Sequence, residues 1–192
     1  MNYDPEGAVF DPGPPEAPRD IVSRAINAAL FNRRTFREIQ EDPGTTSQVR
    51  WLVVAAAIAV VIGSIRDPSE AIINGVLVVT GWLIYAHVAW FLRSFLFDSI
   101  HSEASRPEML RVVGIAYGPS LLRVFGIIPV VGGIIWAVVT IWMLVAIVFG
   151  LKTTLAYENY WPPVGIIVLG AVVNSILSLI VFGIADLVMT GR

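Results

Sequence analysis

The chain of 192 residues contains no cysteine, which excludes disulfide bonds, thiolate metal sites and thiol nucleophiles. Charged residues make up only 15% of the sequence, and their formal sum of −2 gives no electrostatic reason to expect a nucleic-acid partner. The sequence also lacks the G-x-S-x-G, H-E-x-x-H and glycine-rich phosphate-loop motifs, and its apolar segments contain no paired carboxylates. We therefore predict a protein that is not an enzyme and that needs no metal ion or other cofactor.

Apolar residues, by contrast, dominate the sequence. They account for 56% of it, and the mean hydropathy of +0.73 is too high for an ordinary soluble domain of this size. We predict an all-α integral membrane protein with five transmembrane helices and a cytoplasmic N-terminal amphipathic arm. The predicted membrane domain covers residues 48–192, and its spans cover residues 49–65, 71–97, 109–128, 130–151 and 164–189.

Two segments precede the predicted spans. Residues 1–18 contain five prolines and four acidic residues, so we expect disorder there, or an arm that becomes ordered on a partner. Residues 19–47 are predicted to form an amphipathic interfacial arm, which begins with a short helix from Ile21 to about Asn32. The alternative is a helical pair that packs beneath the membrane domain. Four side chains of the arm are predicted to contact anionic lipid or a partner: Arg33, Arg34, Phe36 and Arg37.

The basic residues are unevenly distributed between the two predicted sides of the membrane. Most of them lie in the arm and in the two longer connections between spans, whereas the other side has only Arg66, Arg123 and Arg192. Basic residues favour cytoplasmic segments, so we predict a cytoplasmic N-terminus and an outer C-terminus.

The third and fourth spans form a predicted hairpin with residues suited to close helix packing. Gly114-x-x-x-Gly118 would give one flat surface for a neighbouring helix, and Pro119 would kink the third span. The turn into the fourth span is marked by Pro129, Gly132 and Gly133. We predict that all six residues contribute to helix packing.

Small and polar residues also follow one another along the fifth span. Gly170, Asn174 and Ser178 are spaced by four, as is typical of a helix–helix contact. An alternative is a small transporter or channel with a hydrated path, which would be lined by Asn74, Asn174, Ser178 and Asp186.

His87 is the one residue in the predicted spans that suits cofactor binding. It lies in the second span among Trp82, Tyr85 and Trp90, and a neutral imidazole there could ligate haem iron or chlorophyll magnesium. The alternative is a histidine that is hydrogen-bonded to a neighbouring helix near the headgroups.

Several motifs together resemble those of the Yip-one domain family. They are F-x-R-R-T-F-R-E-I-x-x-D-P from Phe31, G-I-A-Y-G-P-S-L-L from Gly114, I-P-x-x-G from Ile128 and I-W-M-L-V-A-I-V-F-G-L-K from Ile141, and the resemblance covers residues 31–187. It implies a five-span membrane protein with a cytoplasmic arm. Eukaryotic members are implicated in membrane trafficking, whereas prokaryotic members share the layout and have no settled function. The short arm without D-L-x-G-P resembles the prokaryotic type, which implies a bacterial cytoplasmic membrane.

From these observations we expect a non-catalytic membrane-organising, trafficking-like or assembly module. Its expected partners are the lipid bilayer and a membrane protein or a second copy, with no nucleic acid. Two alternatives stay open at this point: an accessory subunit that binds pigment or haem through His87, and a small transporter or channel.

Overall fold

The computed structural model describes residues 20–96 and 105–190, and every regular element in these ranges is helical. The segment 1–18, predicted to be disordered, lies outside the described residues. The helices, in chain order, are α1 (Ile21–Ala29), α2 (Arg33–Glu41), α3 (Thr45–Gly63), α4 (Pro68–Leu96), α5 (Arg106–Ile115), a 3-10 helix (Gly118–Ile127), α6 (Gly132–Thr154) and α7 (Trp161–Thr190).

Four of these helices are long and apolar enough to cross a membrane. The qualifying stretches are Thr45–Gly63, Glu70–Arg93, Gly132–Thr154 and Trp161–Leu187. Each corresponds to one predicted span and begins and ends within a few residues of it. These helices are those of an integral membrane protein.

The third predicted span, 109–128, is not a straight helix. It is built from α5 and the 3-10 helix, which are bent by 42° with respect to each other. The predicted kink is therefore present, but the α-helix ends at Ile115, four residues before Pro119. Pro119 lies in the first turn of the 3-10 helix, where its missing N–H leaves no hydrogen bond unmade.

The bent pair lies alongside α3 over nearly its whole length. Gly114 packs against Val49 near the start of α3, and the backbone of Arg123 packs against Gly63 at its end. The side chain of Arg66, just beyond α3, donates a hydrogen bond of 3.1 Å to the carbonyl oxygen of Ile127. The pair thus runs from one end of the bundle to the other. We call these ends the Arg111 end and the Arg66 end.

The arm is part of the core of the molecule. In α2, Phe36 and Ile39 are fully buried, and the Phe36 ring lies against the bare Cα of Gly150 in α6. The expectation that Phe36 contacts lipid or a partner is therefore wrong, because the ring fills space inside the bundle. In α1, Ala25 and Ala28 are buried, whereas the apolar side of the helix formed by Val22, Ile26 and Leu30 is exposed. The arm thus packs on the bundle, as in the second of the two predicted alternatives.

Arg111 of α5 joins the arm to the bundle. Its side chain is buried, and its Nε donates a hydrogen bond of 2.9 Å to the carbonyl oxygen of Ile39. The Nη2 atom donates to the carbonyl oxygen of Gln40, and Nη1 donates to the Thr46 hydroxyl at 3.4 Å. Arg111 therefore satisfies carbonyl groups in the last turn of α2, which have no partner within their own helix.

Candidate functional site

A cavity of about 320 Å³ with several polar groups in its wall lies inside the bundle, between α4, the bent pair, α6 and α7. Most of its wall is apolar. The polar side chains that line it come from four segments that are far apart in sequence: Asn74, Tyr85, Tyr117, Arg123, Thr140, Asn174 and Ser175. Ser175 is exposed, so the cavity is open on the side of α7.

Among the residues that the structure describes, Arg123 is the only charged one in the wall of this cavity, and its exposed fraction is 7%. Its Nη2 atom donates a hydrogen bond of 2.8 Å to the Thr140 hydroxyl, which itself donates to the carbonyl oxygen of Trp136 at 2.7 Å. The guanidinium carbon lies 4.8 Å from the centroid of the Trp136 ring, a cation–π distance. The buried Nε has no acceptor within the described part of the chain.

Tyr117 and Asn174 meet over a glycine of α4 at the inner end of the cavity. A Cβ atom on Gly81 would lie 3.1 Å from the Tyr117 hydroxyl and 3.3 Å from the Asn174 side-chain oxygen. Both polar groups thus lie close to the backbone of α4 at Gly81, where no side chain intervenes. The Asn174 oxygen is buried and has no hydrogen-bond donor among residues 20–96 and 105–190.

The predicted hydrated path corresponds only partly to this cavity. Asn74 and Asn174 line it, as the transport alternative requires. Ser178 instead donates a hydrogen bond of 2.8 Å to the carbonyl oxygen of Asn174 in its own helix, and neither Ser178 nor Asp186 belongs to the cavity wall. Among the described residues, the cavity therefore includes two of the four residues of the predicted path and does not extend to Ser178 or Asp186.

A second cavity, of about 270 Å³, is formed at the Arg111 end where α2 meets the last turn of α6. We call it the basic recess, because Arg33, Arg37 and Lys152 line it. Glu158 and Tyr157 of the following connection complete the wall, and burial raises the pKa of the Tyr157 hydroxyl. The recess therefore combines three cations, one carboxylate and a hydroxyl that stays protonated at neutral pH.

The four predicted contact residues of the arm have different surroundings. Arg33 and Arg37 are exposed and line the basic recess, and the Arg33 guanidinium lies 5.9 Å from the Phe149 ring centroid. Arg34 is exposed as well, but its Nε donates a hydrogen bond of 2.7 Å to Glu38 one turn later, and it does not line the recess. Phe36 is buried, as described above.

Gly114 and Gly118 do not form the single flat surface that their spacing predicts. The α-helix ends between them, so they face different neighbours. Gly114 packs against Val49 and Trp82, whereas a Cβ atom on Gly118 would lie 3.3 Å from the Cβ of Ala25 in α1. Each glycine allows a close approach, but no continuous helical face connects them.

The three residues predicted to mark the turn into α6 differ in how closely they pack. Gly132 packs against the backbone carbonyl of Gly126, which allows the chain to turn back tightly. Apart from its chain neighbours and the backbone of its own helix, no atom of the described residues lies within 4 Å of the position of a Cβ on Gly133, so in this part of the chain Gly133 does not make the predicted helix contact. Pro129 lies in the turn, as expected, and is exposed. On α7, Gly170 receives the ring of Tyr85, which brings α4 and α7 together.

Both ring nitrogens of His87 have hydrogen-bond partners. The Nδ1 atom lies 2.7 Å from the carbonyl oxygen of Leu83, and Nε2 lies 2.6 Å from Nη2 of Arg106. Because a guanidinium only donates, we assign the proton of the neutral ring to Nδ1 and the acceptor role to Nε2. In this arrangement neither nitrogen has a lone pair directed at open space for a haem or chlorophyll metal. The geometry is that of the hydrogen-bonded alternative.

Arg111, Tyr117 and Arg123 have structural roles that the sequence-based interpretation missed. The sequence predicted Arg111 only as a charge that orients the protein, and Arg123 as such a charge or as an ion-pair partner of Asp186 on the same side. An arginine within an apolar segment is rare and costly, and this is the signal that could have singled out Arg123. Tyr117 had no comparable signal, because an aromatic residue in a span is ordinary. Within the described ranges, no three His, Asp or Glu side chains are grouped in a way that could hold a metal ion.

Comparison with family models, with curated proteins and with solved structures finds no match for this chain.

Proposed function

We propose that this protein is a non-catalytic, membrane-embedded organising module that holds anionic lipid at its basic recess. The observation that carries the proposal is the grouping of Arg33, Arg37 and Lys152 around one cavity at the end of the bundle. The three cations come from two elements that are more than a hundred residues apart in sequence, and the packing of α2 on α6 brings them together. The resemblance to the Yip-one domain family agrees with this function and adds a membrane-organising role.

Electrostatic attraction supports this role of the recess. Three cations offset by Glu158 leave the recess with a net positive charge, which favours an anionic headgroup over a zwitterionic one. Phe149 of α6 also lines the recess, and its ring suits contact with the apolar part of a lipid. The proposal also includes a fifth membrane crossing by the bent pair, a cytoplasmic N-terminus and a bacterial inner membrane.

The test measures the lipid selectivity of the intact protein. Wild-type protein in nanodiscs that contain equal amounts of phosphatidylglycerol and phosphatidylcholine is released into mild detergent, and native mass spectrometry counts the retained lipids. We expect Arg33→Gln/Arg37→Gln to reduce the preference for phosphatidylglycerol at least threefold. The control Arg34→Gln/Arg50→Gln removes the same charge from exposed positions outside the recess and should retain the preference. An equal loss in both double variants would show that net charge, and not the recess, binds the lipid.

A further inference from the structure

The cavity around Arg123 contains a buried positive charge, which has no part in the proposed function. Among residues 20–96 and 105–190, its wall contains one arginine and no aspartate or glutamate, and these residues provide no carboxylate partner for the guanidinium. The side chain is nevertheless more than nine-tenths buried. A charge that is removed from water and not neutralised by a partner is strongly unfavourable, and in a membrane span such a charge is usually functional.

The contacts of Arg123 within the bundle leave this charge uncompensated. Thr140 accepts one of its hydrogen bonds and the Trp136 ring faces the guanidinium, but both groups are neutral. The Nε atom donates to no acceptor within the described residues. These contacts fix the position of the guanidinium at the cavity wall and leave its charge without a counter-ion.

The remaining polar groups of the wall complement a small anion. Asn74 and Asn174 contribute side-chain amides, and Tyr117 contributes a hydroxyl, so the cavity offers neutral groups that can donate hydrogen bonds around a single cation, beside the unpaired carbonyl oxygen of Asn174. A volume of about 320 Å³ is at the lower end of the range for small-molecule sites. The planar guanidinium is suited to pairing with a carboxylate or a phosphate.

We propose that the cavity around Arg123 binds the carboxylate or phosphate group of a small anion, with Arg123 as the counter-charge and Tyr117 and Asn174 as neutral hydrogen-bonding groups. This group is either part of a water-soluble anion or the headgroup of an anionic lipid that enters beside α7. The site is separate from the basic recess, since the two cavities have no lining residue in common.

The experiment compares both sources of the anion on the full-length protein. For the free anion, wild-type protein in phosphatidylcholine nanodiscs is titrated with inorganic phosphate and with acetate at constant ionic strength, and thermal unfolding is recorded. A ligand at ten times its Kd should raise the Tm by about 3–6 °C for a chain of this size. For the lipid, the Arg33→Gln/Arg37→Gln protein, in which the basic recess has lost two of its cations, is analysed by native mass spectrometry from nanodiscs with phosphatidylglycerol, and one tightly retained lipid per chain is expected.

The decisive variant is Arg123→Gln, which removes the charge and keeps a polar side chain. It should abolish the saturable Tm increase or the retained lipid, whichever the wild type displays. Arg66→Gln, at an exposed position at the same end of the bundle, should retain the wild-type response. For the lipid measurement, Arg123→Gln and Arg66→Gln are each combined with Arg33→Gln/Arg37→Gln, so that the basic recess does not contribute. Tyr117→Phe keeps the aromatic ring and should weaken binding at least threefold, so it tests the site if Arg123→Gln does not fold.

Three results would overturn the proposal. The first is the absence of any saturable response of the wild type to phosphate, acetate and phosphatidylglycerol. The second is an unchanged response in Arg123→Gln, and the third is an equal loss of the response in Arg66→Gln. A structural role of Arg123 alone predicts a lower Tm of Arg123→Gln without ligand, together with no anion response in the wild type.

Discussion

At the residue scale, the glycines of the spans differ in what surrounds their missing side chains. A Cβ atom on Gly63 would meet the backbone carbonyl of Arg123, whereas a Cβ on Gly133 would meet no other element of the described structure within 4 Å. Backbone atoms cannot rotate away as a side chain does. A side chain added at Gly63 would therefore force the two backbones apart, so Gly63 sets the distance between α3 and the 3-10 helix.

This difference predicts the effects of two otherwise identical substitutions. Gly63→Ala should lower the free energy of unfolding by about 1–3 kcal/mol or more, because the added methyl group forces two backbones apart. Gly133→Ala should leave it unchanged or raise it by up to about 1 kcal/mol, since alanine is the better helix former. Thermal unfolding in the same detergent would compare them. A Gly63→Ala protein as stable as Gly133→Ala would contradict the packing of the 3-10 helix on α3.

At the element scale, the attachment of the arm depends on a few polar contacts as well as on the burial of Phe36 and Ile39. Arg111 donates to the carbonyl groups of Ile39 and Gln40. The indole N–H of Trp142 donates a hydrogen bond of 2.8 Å to the carbonyl oxygen of Ala29 at the end of α1. Both contacts satisfy carbonyl groups at helix C-termini, and both connect the arm to helices of the bundle.

Replacement of Arg111 should therefore loosen α2. In Arg111→Met the methionine keeps apolar contacts, but the carbonyl groups of Ile39 and Gln40 lose their buried donor, which costs about 1–3 kcal/mol. We expect faster hydrogen exchange of the α2 amides, measured by mass spectrometry, while the exchange of α6 is unchanged. Arg50→Met removes an exposed arginine at the same end of the bundle and should have no effect on α2. Unchanged protection of α2 in Arg111→Met would refute the role of this contact.

At the scale of the whole molecule, the bent pair decides how many times the chain crosses the membrane. If α5 and the 3-10 helix together form one crossing, the chain has five and its ends lie on opposite sides. If the pair enters and leaves on the same side, the chain has four crossings and both α6 and α7 are inverted. The position of the pair beside α3, from Val49 to Gly63, supports five crossings.

The absence of cysteine allows this topology to be tested with single introduced cysteines. Val130 is 95% exposed in the turn before α6, and Glu158 is exposed in the connection before α7. With five crossings and a cytoplasmic N-terminus, a membrane-impermeant maleimide should label Val130→Cys in intact cells and Glu158→Cys only after permeabilisation. Asp67→Cys should be labelled in intact cells in both topologies and serves as the control. The reverse pattern for Val130 and Glu158 would establish four crossings.

The sequence by itself determined the class of the protein and the approximate position of its spans. Hydropathy, proline and glycine are properties of short stretches, so they predict where an apolar helix begins and ends without any knowledge of its neighbours. The break near Pro119 was predicted for the same reason. The basic side chains Arg33 and Arg37 were also identified locally, from their place beside apolar residues.

Only the tertiary structure decided which residues meet. Asn74, Arg123 and Asn174 lie in three different segments, with Tyr117 in the same segment as Arg123, and no local pattern relates the three segments. Phe36 was expected at the surface because its neighbours are basic, but the bare Cα of Gly150, more than a hundred residues later, provides the space that buries it. His87 has the hydrogen-bond partner Arg106 from α5, which satisfies the nitrogen that a metal would need. Helix periodicity describes one helix at a time, whereas burial and pairing depend on the helix that packs against it.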